Sequence, residues 1–261
     1  MLTSVMTSPP AKSPWFAYVK PKPQAQLRLF CFPYAGGSAL IYRKWVDTLP
    51  SFVEVCPVQL PGRGNRLYEP AFNQLDVLVE AVAQGMGPYL DKPFALFGHS
   101  MGATISFELA RLFRREGRAM PVQLFISGRR APQIPDREPP IYNLPEAELF
   151  EELHRLGGTP KEVLEHPELM QVMLPLLRAD LTIAETYVCT PEPPLDCPIS
   201  VFGGLQDVDV TREDLEGWAE HTTGRFTLRM LEGDHFFLNT AQPLLLRTLS
   251  QELYWLSRNN G

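Results

Sequence analysis

The chain has 261 residues, the size of one large α/β domain. Hydrophobic residues make up 44% of it, which excludes a chain that is disordered throughout. The formal net charge is −6, whereas proteins that bind nucleic acid usually carry a basic excess. We therefore expect a globular domain with a sizeable core and no nucleic-acid partner.

The four cysteines are scattered, and no two have the C-x-x-C spacing, which predicts free thiols in a reducing compartment. The first residues lack the charged and apolar segments of a secretory signal, and no apolar run is long enough to cross a bilayer. We expect a cytoplasmic monomer without a membrane partner.

Six short apolar runs are typical of strands buried on both faces of a parallel sheet. Helical patterns separate them, most clearly at 73–89, 102–117 and 241–257, and this alternation predicts an α/β fold with a mostly parallel central sheet flanked by helices. The runs lie at 27–32, 52–58, 94–98, 122–128, 199–204 and 226–231.

Clusters among the 26 prolines indicate connectors between these elements. The first cluster predicts a flexible leader over residues 1–25, followed by one domain over 26–261. Between two later clusters, residues 145–187 contain successive helical patterns without a strand. We interpret this insertion as a helical lid over about 133–195; the alternative is an ordinary stack of crossover helices.

The segment Gly98-His99-Ser100-Met101-Gly102 has the G-x-S-x-G pattern. The pattern is weak alone, but an apolar run precedes it and a helical pattern follows it, as a nucleophile elbow requires. The glycines leave room for a tight turn, and the helix N-terminus favours a developing oxyanion. We predict Ser100 as the nucleophile; the alternative is a glycine-rich turn with an idle serine.

A serine hydroxyl needs a base, and His235 is the best candidate. It follows the last apolar run, and it fits the chain order Ser, Asp, His of nucleophile-elbow hydrolases. Asp207 is the predicted acid because it lies nearest to the end of a late strand; Asp209 is its rival, with helix capping as its other role. His99 adjoins the serine, and we expect it to pack beside the site.

The oxyanion hole needs two backbone N–H donors. Met101, directly after the serine, supplies one, and the loop Pro33-Tyr34-Ala35-Gly36-Gly37 supplies the other. We predict the Ala35 N–H, with Tyr34 as its rival; the alternative is a plain Gly-Gly turn. No metal or organic cofactor is expected, because no ligand cluster or phosphate-binding glycine loop occurs in the sequence.

With these features the chain resembles the stand-alone type II thioesterases of polyketide and nonribosomal peptide synthesis, which have the α/β-hydrolase fold. The family usually has histidine at Tyr34 and glycine at Asp234, so this chain departs from it twice without losing a triad residue. The matching segments are CFPYAGGSA at 31–39, QLPGRGNR at 59–66, FGHSMGA at 97–103, SGRRAP at 127–132, LGGTP at 156–160, LRADL at 177–181, Tyr187, CPISVFGGLQD at 197–207 and GDHFFL at 233–238.

The resemblance implies a serine thioesterase that removes stalled or aberrant acyl groups from the phosphopantetheine arm of carrier proteins, with the phosphopantetheine belonging to the partner. Alternatives are a medium-chain release thioesterase, a general carboxylesterase, an acyltransferase or a catalytically dead binding module. Within the segment at 59–66, we expect Arg63 and Arg66 to be structural rather than catalytic.

Carrier proteins are usually acidic, so docking to this acidic chain would need a local basic patch. Two groups of arginines are candidates, with structural arginine as the alternative interpretation. They are Arg111, Arg114, Arg115 and Arg118 after the elbow, and Arg129 and Arg130 after the next strand.

Overall fold

The six apolar runs form the strands of one sheet in a computed structural model of the protein, which describes residues 13–158 and 166–259. Each strand begins and ends within one residue of its predicted bounds. The strands are β1 (Leu27–Phe32), β2 (Val53–Pro57), β3 (Phe94–His99), β4 (Gln123–Ser127), β5 (Ile199–Gly204) and β6 (Phe226–Leu231).

These strands are all parallel, in the order β2-β1-β3-β4-β5-β6. Phe32 of β1 lies opposite Gly98 of β3, and Gly204 of β5 lies opposite Leu231 of β6. The loops that leave each of these paired ends therefore start side by side. Ligands of such sheets bind at this carboxyl edge, where the strand order reverses.

Helices cover both faces of the sheet. One core packs α2 and α3 against it, and a second core packs α1 and α8 on the opposite face. None of the described helices is long and apolar enough to cross a membrane. The helices are α1 (Trp45–Thr48), α2 (Leu75–Met86), α3 (Met101–Arg115), α4 (Glu146–Leu156), α5 (Pro167–Thr186), α6 (Arg212–Glu216), α7 (Phe237–Thr240) and α8 (Gln242–Asn259).

The insertion between β4 and β5 carries α4 and α5 and has an apolar cluster of its own. Leu149 and Leu153 of α4 pack in it with Leu177 and Leu181 of α5. A predicted helix over 159–166 lies outside the described residues except for His166. The lid interpretation of this insertion stays a prediction.

Residues 15–17, in the described portion of the predicted leader, lie against the end of β2. The Ala17 N–H donates to the Pro57 carbonyl at 3.1 Å, and the Gln59 N–H donates to the Trp15 carbonyl at 2.8 Å. The Arg66 guanidinium lies 4.4 Å from the centroid of the Trp15 ring. This segment therefore covers the loop that follows β2, while the domain boundary at residue 26 stays a prediction.

Candidate active site

Ser100 lies between β3 and α3 with a backbone conformation that L residues rarely adopt, at φ 54° and ψ −117°. Two backbone hydrogen bonds hold this turn: the Ser100 N–H donates to the Ser127 carbonyl at 2.8 Å, and the Ala103 N–H donates to the Ser100 carbonyl at 2.9 Å. Such strain persists only where surrounding contacts enforce it, and it occurs preferentially at functional sites.

The two glycines of the G-x-S-x-G segment are required by close backbone approaches. A Cβ on Gly98 would lie 2.0 Å from the Gly102 carbonyl oxygen, and one on Gly102 would lie 2.2 Å from the Phe32 carbonyl oxygen. Both distances are far below van der Waals contact, and the opposing atoms belong to the backbone. Both glycines are therefore required by a tight turn that joins β3 to α3 and packs against the end of β1.

Replacing Gly102 by alanine should destabilise the fold by about 3 kcal/mol or more, because backbone must move to admit the methyl group. Gly87→Ala is the matched control, since Gly87 has helical dihedral angles and no atom within 4 Å of the added Cβ. Urea unfolding measures both. Equal unfolding free energies for the two variants would contradict the steric account.

Replacing Ser100 by glycine should raise the free energy of unfolding by about 1 kcal/mol relative to Ser100→Ala, because glycine adopts φ 54° without strain. Both variants lack the hydroxyl, so the comparison isolates the backbone. Urea unfolding of the two proteins gives the difference, and an alanine variant as stable as the glycine variant would show that the turn stores no strain.

His235 and Asp207 are in contact at the ends of the neighbouring strands β6 and β5. The His235 Nδ1 lies 2.7 Å from the Asp207 Oδ2, and the aspartate side chain is only 1% exposed. The other carboxylate oxygen, Oδ1, accepts the N–H groups of Asp209 at 3.0 Å and Val210 at 3.1 Å. The Asp207 carboxylate is therefore fixed in orientation and aimed at the imidazole.

Asp209, the rival acid, points elsewhere. Its carboxylate lies 3.4 Å from the Arg155 guanidinium, and its backbone carbonyl accepts from Arg130. Its alternative role as a helix cap is not observed either, since the side chain of Thr211 caps α6.

His99 packs beneath the site. The ring is fully buried, its Nδ1 lies 2.8 Å from the Ser127 hydroxyl, and its centroid is 5.2 Å from that of His235. Burial, followed by the neighbouring His235, lowers the pKa of His99 well below its ordinary value. His99 therefore stays neutral near pH 7 and adds no charge beside His235.

The loop after β1 lies beside the elbow, as the register of β1 and β3 requires. Its Gly37 N–H donates to the Tyr34 carbonyl at 2.9 Å, and its Gly36 N–H donates to Asp180 at 2.7 Å. The Ala35 N–H donates no hydrogen bond to any residue that the structure describes, nor does the Met101 N–H. Both are thus available to an oxyanion.

The residues where this chain departs from the thioesterase pattern have defined contacts. The Tyr34 ring packs against His99 and Phe236, with centroids 5.8 Å and 5.0 Å away. The Asp234 carboxylate accepts the Phe236 N–H at 2.8 Å, so its hydrogen bond goes to its own turn.

A cavity of about 250 Å³ joins these groups, with Ser100, Ala35 and His235 in its wall. Helices α4 and α5 supply much of the apolar lining, and several charged side chains also line the cavity. The apolar residues include Ile141, Leu153, Leu156, Leu177, Leu181, Ala184, Val210 and Phe236, and the charged ones are Arg129, Arg130, Asp136, Glu138, Arg155, Glu185 and Asp209.

Three of the four arginines after the elbow bind the proline connector, and the fourth binds α2. Glu192 lies 2.9 Å from Arg111, 2.6 Å from Arg114 and 2.9 Å from Arg115, and these groups lower its pKa to about 2, Arg111 most strongly. Arg118 donates to the Ala83 carbonyl at 3.1 Å. These contacts favour the structural interpretation over a docking patch.

Arg129 and Arg130 are likewise engaged within the domain. Arg129 donates to the Ala184 carbonyl at 2.8 Å, and Arg130 donates to the Asp209 carbonyl at 2.6 Å. Both line the cavity, so neither supplies an outer docking surface.

Arg63 pairs with Asp180 beside this site, a contact that the sequence did not predict. Each residue lies in a segment that matches the thioesterase pattern, and Asp180 interrupts the apolar face of α5 between Leu177 and Leu181. A carboxylate in such a face signals a buried partner, but the sequence does not say which cation it is.

A parallel sheet with a serine elbow and an Asp–His pair at neighbouring strand ends defines an α/β-hydrolase. The chain matches the family described as Thioesterase domain over residues 27–253. It therefore belongs to the thioesterase domain family and is an enzyme that hydrolyses thioesters.

Two relatives and one solved structure illustrate the similarity. Linear gramicidin dehydrogenase LgrE from Brevibacillus parabrevis is 47% identical over 244 residues, covering 92% of this chain and 93% of that protein. The gramicidin S biosynthesis protein GrsT from Aneurinibacillus migulanus is 44% identical over 239 residues, with the same coverage. The RedJ thioesterase from the prodiginine pathway of Streptomyces coelicolor has a TM-score of 0.83 at 41% identity, covering 94% of this chain and 90% of that one.

The word dehydrogenase belongs to the name of LgrE alone. The family that matches this chain is a thioesterase family.

Proposed function

We propose that this thioesterase removes stalled or aberrant acyl groups from the phosphopantetheine arm of carrier proteins in polyketide or nonribosomal peptide synthesis, in the cytoplasm. The names of GrsT and RedJ place those two proteins in the biosynthesis of gramicidin S and prodiginine, which supports this substrate class. Thioesterases of this fold need no cofactor, and the pantetheine arrives on the partner.

In the proposed acylation step, the Ser100 oxygen attacks the thioester carbonyl while His235 accepts the hydroxyl proton. The carbonyl oxygen becomes an oxyanion that the N–H groups of Ala35 and Met101 bind. Asp207 holds the tautomer and orientation of His235 and stabilises its protonated form. The carbon–sulfur bond then breaks, the pantetheine thiolate takes the proton from His235, and the acyl group remains on Ser100.

Hydrolysis of the acyl-serine repeats the sequence with water. His235 accepts a proton from the water as its oxygen attacks the ester carbonyl, and the same two N–H groups bind the second oxyanion. Collapse returns the proton to the Ser100 oxygen and releases the acid. The leucines of α4 and α5 give the acyl chain an apolar wall during both steps.

The contact between Asp207 and His235 at the cavity that contains Ser100 carries the acyl-serine mechanism of this proposal. A serine-reactive phosphonate tests it, because only a serine with an aligned base reacts rapidly. We expect one adduct on the peptide that contains Ser100, and none in Ser100→Ala. A wild-type protein that stays unlabelled would show that Ser100 is not an activated nucleophile and would contradict this mechanism.

A further inference from the structure

A buried ion pair joins the loop after β2 to α5 beside the candidate site. The Arg63 Nη1 lies 2.7 Å from the Asp180 Oδ2, and the Nη2 lies 2.8 Å from the Oδ1, so the contact is bidentate. The side chains are only 4% and 2% exposed. A pair this deeply buried gains little net stability over apolar residues, so its location suggests another role.

Both partners also bind the loop that contains Ala35. The Gly36 N–H donates to the Asp180 Oδ2 at 2.7 Å, and the Arg63 Nη1 donates to the Gly37 carbonyl at 3.1 Å. One peptide N–H and one carbonyl on the C-terminal side of Ala35 are therefore fixed by the ion pair.

Helix α5 also contacts this loop through Leu177, one turn before Asp180. Gly36 has φ +74°, and a Cβ placed on it would lie 2.6 Å from the Leu177 Cδ2. The loop backbone is thus in direct contact with the helix that forms one wall of the cavity. A displacement of α5 would move the hydrogen-bond acceptor of Gly36 with it.

The charge of Arg63 matters as much as its geometry. The Asp180 carboxylate binds the peptide next to the proposed oxyanion donor, and an unpaired buried anion there would oppose a developing negative charge. The Arg63 guanidinium neutralises it while leaving its oxygens able to accept the Gly36 N–H.

We infer that Arg63 and Asp180 are positioning residues that hold the Ala35 N–H in place for the oxyanion and tie that position to α5. This inference rests on the proposed mechanism. The pair touches no reacting atom, and it acts on the transition state through the loop. Its loss should therefore lower kcat and leave KM nearly unchanged.

The test is a mutant cycle with the acyl thioester of a small thiol as substrate. Arg63→Gln should lower kcat about 100-fold with little change in KM, because it leaves a lone carboxylate and a displaced loop. The double variant with Asp180→Asn should recover about tenfold or more of that loss, since no buried charge remains unpaired. Should Arg63→Gln fail to fold, Asp180→Asn takes its place, because it too leaves one charge unpaired.

Glu54→Gln is the control. Glu54 pairs with buried Arg28 near the amino ends of β1 and β2, away from the site. The Glu54→Gln substitution should lower the thermal midpoint of unfolding without changing kcat. An unchanged kcat in Arg63→Gln, additive losses in the double variant, or an equal kcat loss in Glu54→Gln would each overturn the inference. A wild-type protein inactive on thioesters would instead refute the proposed function.

Discussion

Ser100→Ala should lose thioester hydrolysis almost completely, with kcat falling about a million-fold, because no other group can form the acyl intermediate. The fold should survive. The alanine Cβ occupies the position of the serine Cβ, and the two backbone hydrogen bonds of the turn do not involve the hydroxyl.

Hydrolysis of an acyl thioester and urea unfolding, measured on the same preparation, check this prediction. Phosphonate labelling should disappear together with the activity. A folded Ser100→Ala protein that still hydrolyses thioesters would show that the nucleophile is elsewhere, and the elbow would then be only a strained turn.

Asp207→Asn should lower kcat about 10⁴-fold without altering the fold. The N–H groups of Asp209 and Val210 require an acceptor at the Oδ1 position, so the asparagine carbonyl stays there and its amide NH₂ faces His235. The Nδ1 of His235 then has to accept a hydrogen bond. Its proton moves to Nε2, and the imidazole can no longer take the serine proton.

Asp209→Asn is the matched control for this substitution, two residues away. Its carboxylate contacts only Arg155 in the part of the chain that the structure describes and does not touch His235, so kcat should fall far less than in Asp207→Asn. Thioester hydrolysis at saturating substrate measures both variants. An equal loss of kcat in the two variants, or a loss confined to Asp209→Asn, would contradict the assignment of Asp207 as the acid.

The sheet and its carboxyl edge were predictable from the sequence because their causes are local. Apolar runs set the strands, and Gly98 and Gly102 fit a turn in which side chains have no room. The contact of Asp207 with His235 then follows from two strand ends that lie in register, Gly204 opposite Leu231. Its position nearest to the strand end had already favoured Asp207 over Asp209.

The ion pair of Arg63 and Asp180 was not predictable, because 117 residues separate the partners and the contact depends on how α5 lies over the sheet. The arginines after the elbow illustrate the same limit. Their number predicts a basic surface, but Glu192, far along the chain, pairs with three of them. Local pattern identifies charged residues, whereas their partners depend on tertiary packing.

A direct comparison of substrates tests the proposal that this enzyme acts on an acyl group carried by a carrier protein. The rates to measure are those on an acyl group loaded on a phosphopantetheinylated carrier protein, on the matched acyl thioester of a small thiol, and on p-nitrophenyl esters. We expect a clear preference for the thioesters, with the carrier-bound acyl group hydrolysed. A preference for the oxygen esters, with the carrier-bound acyl group left intact, would contradict the claim.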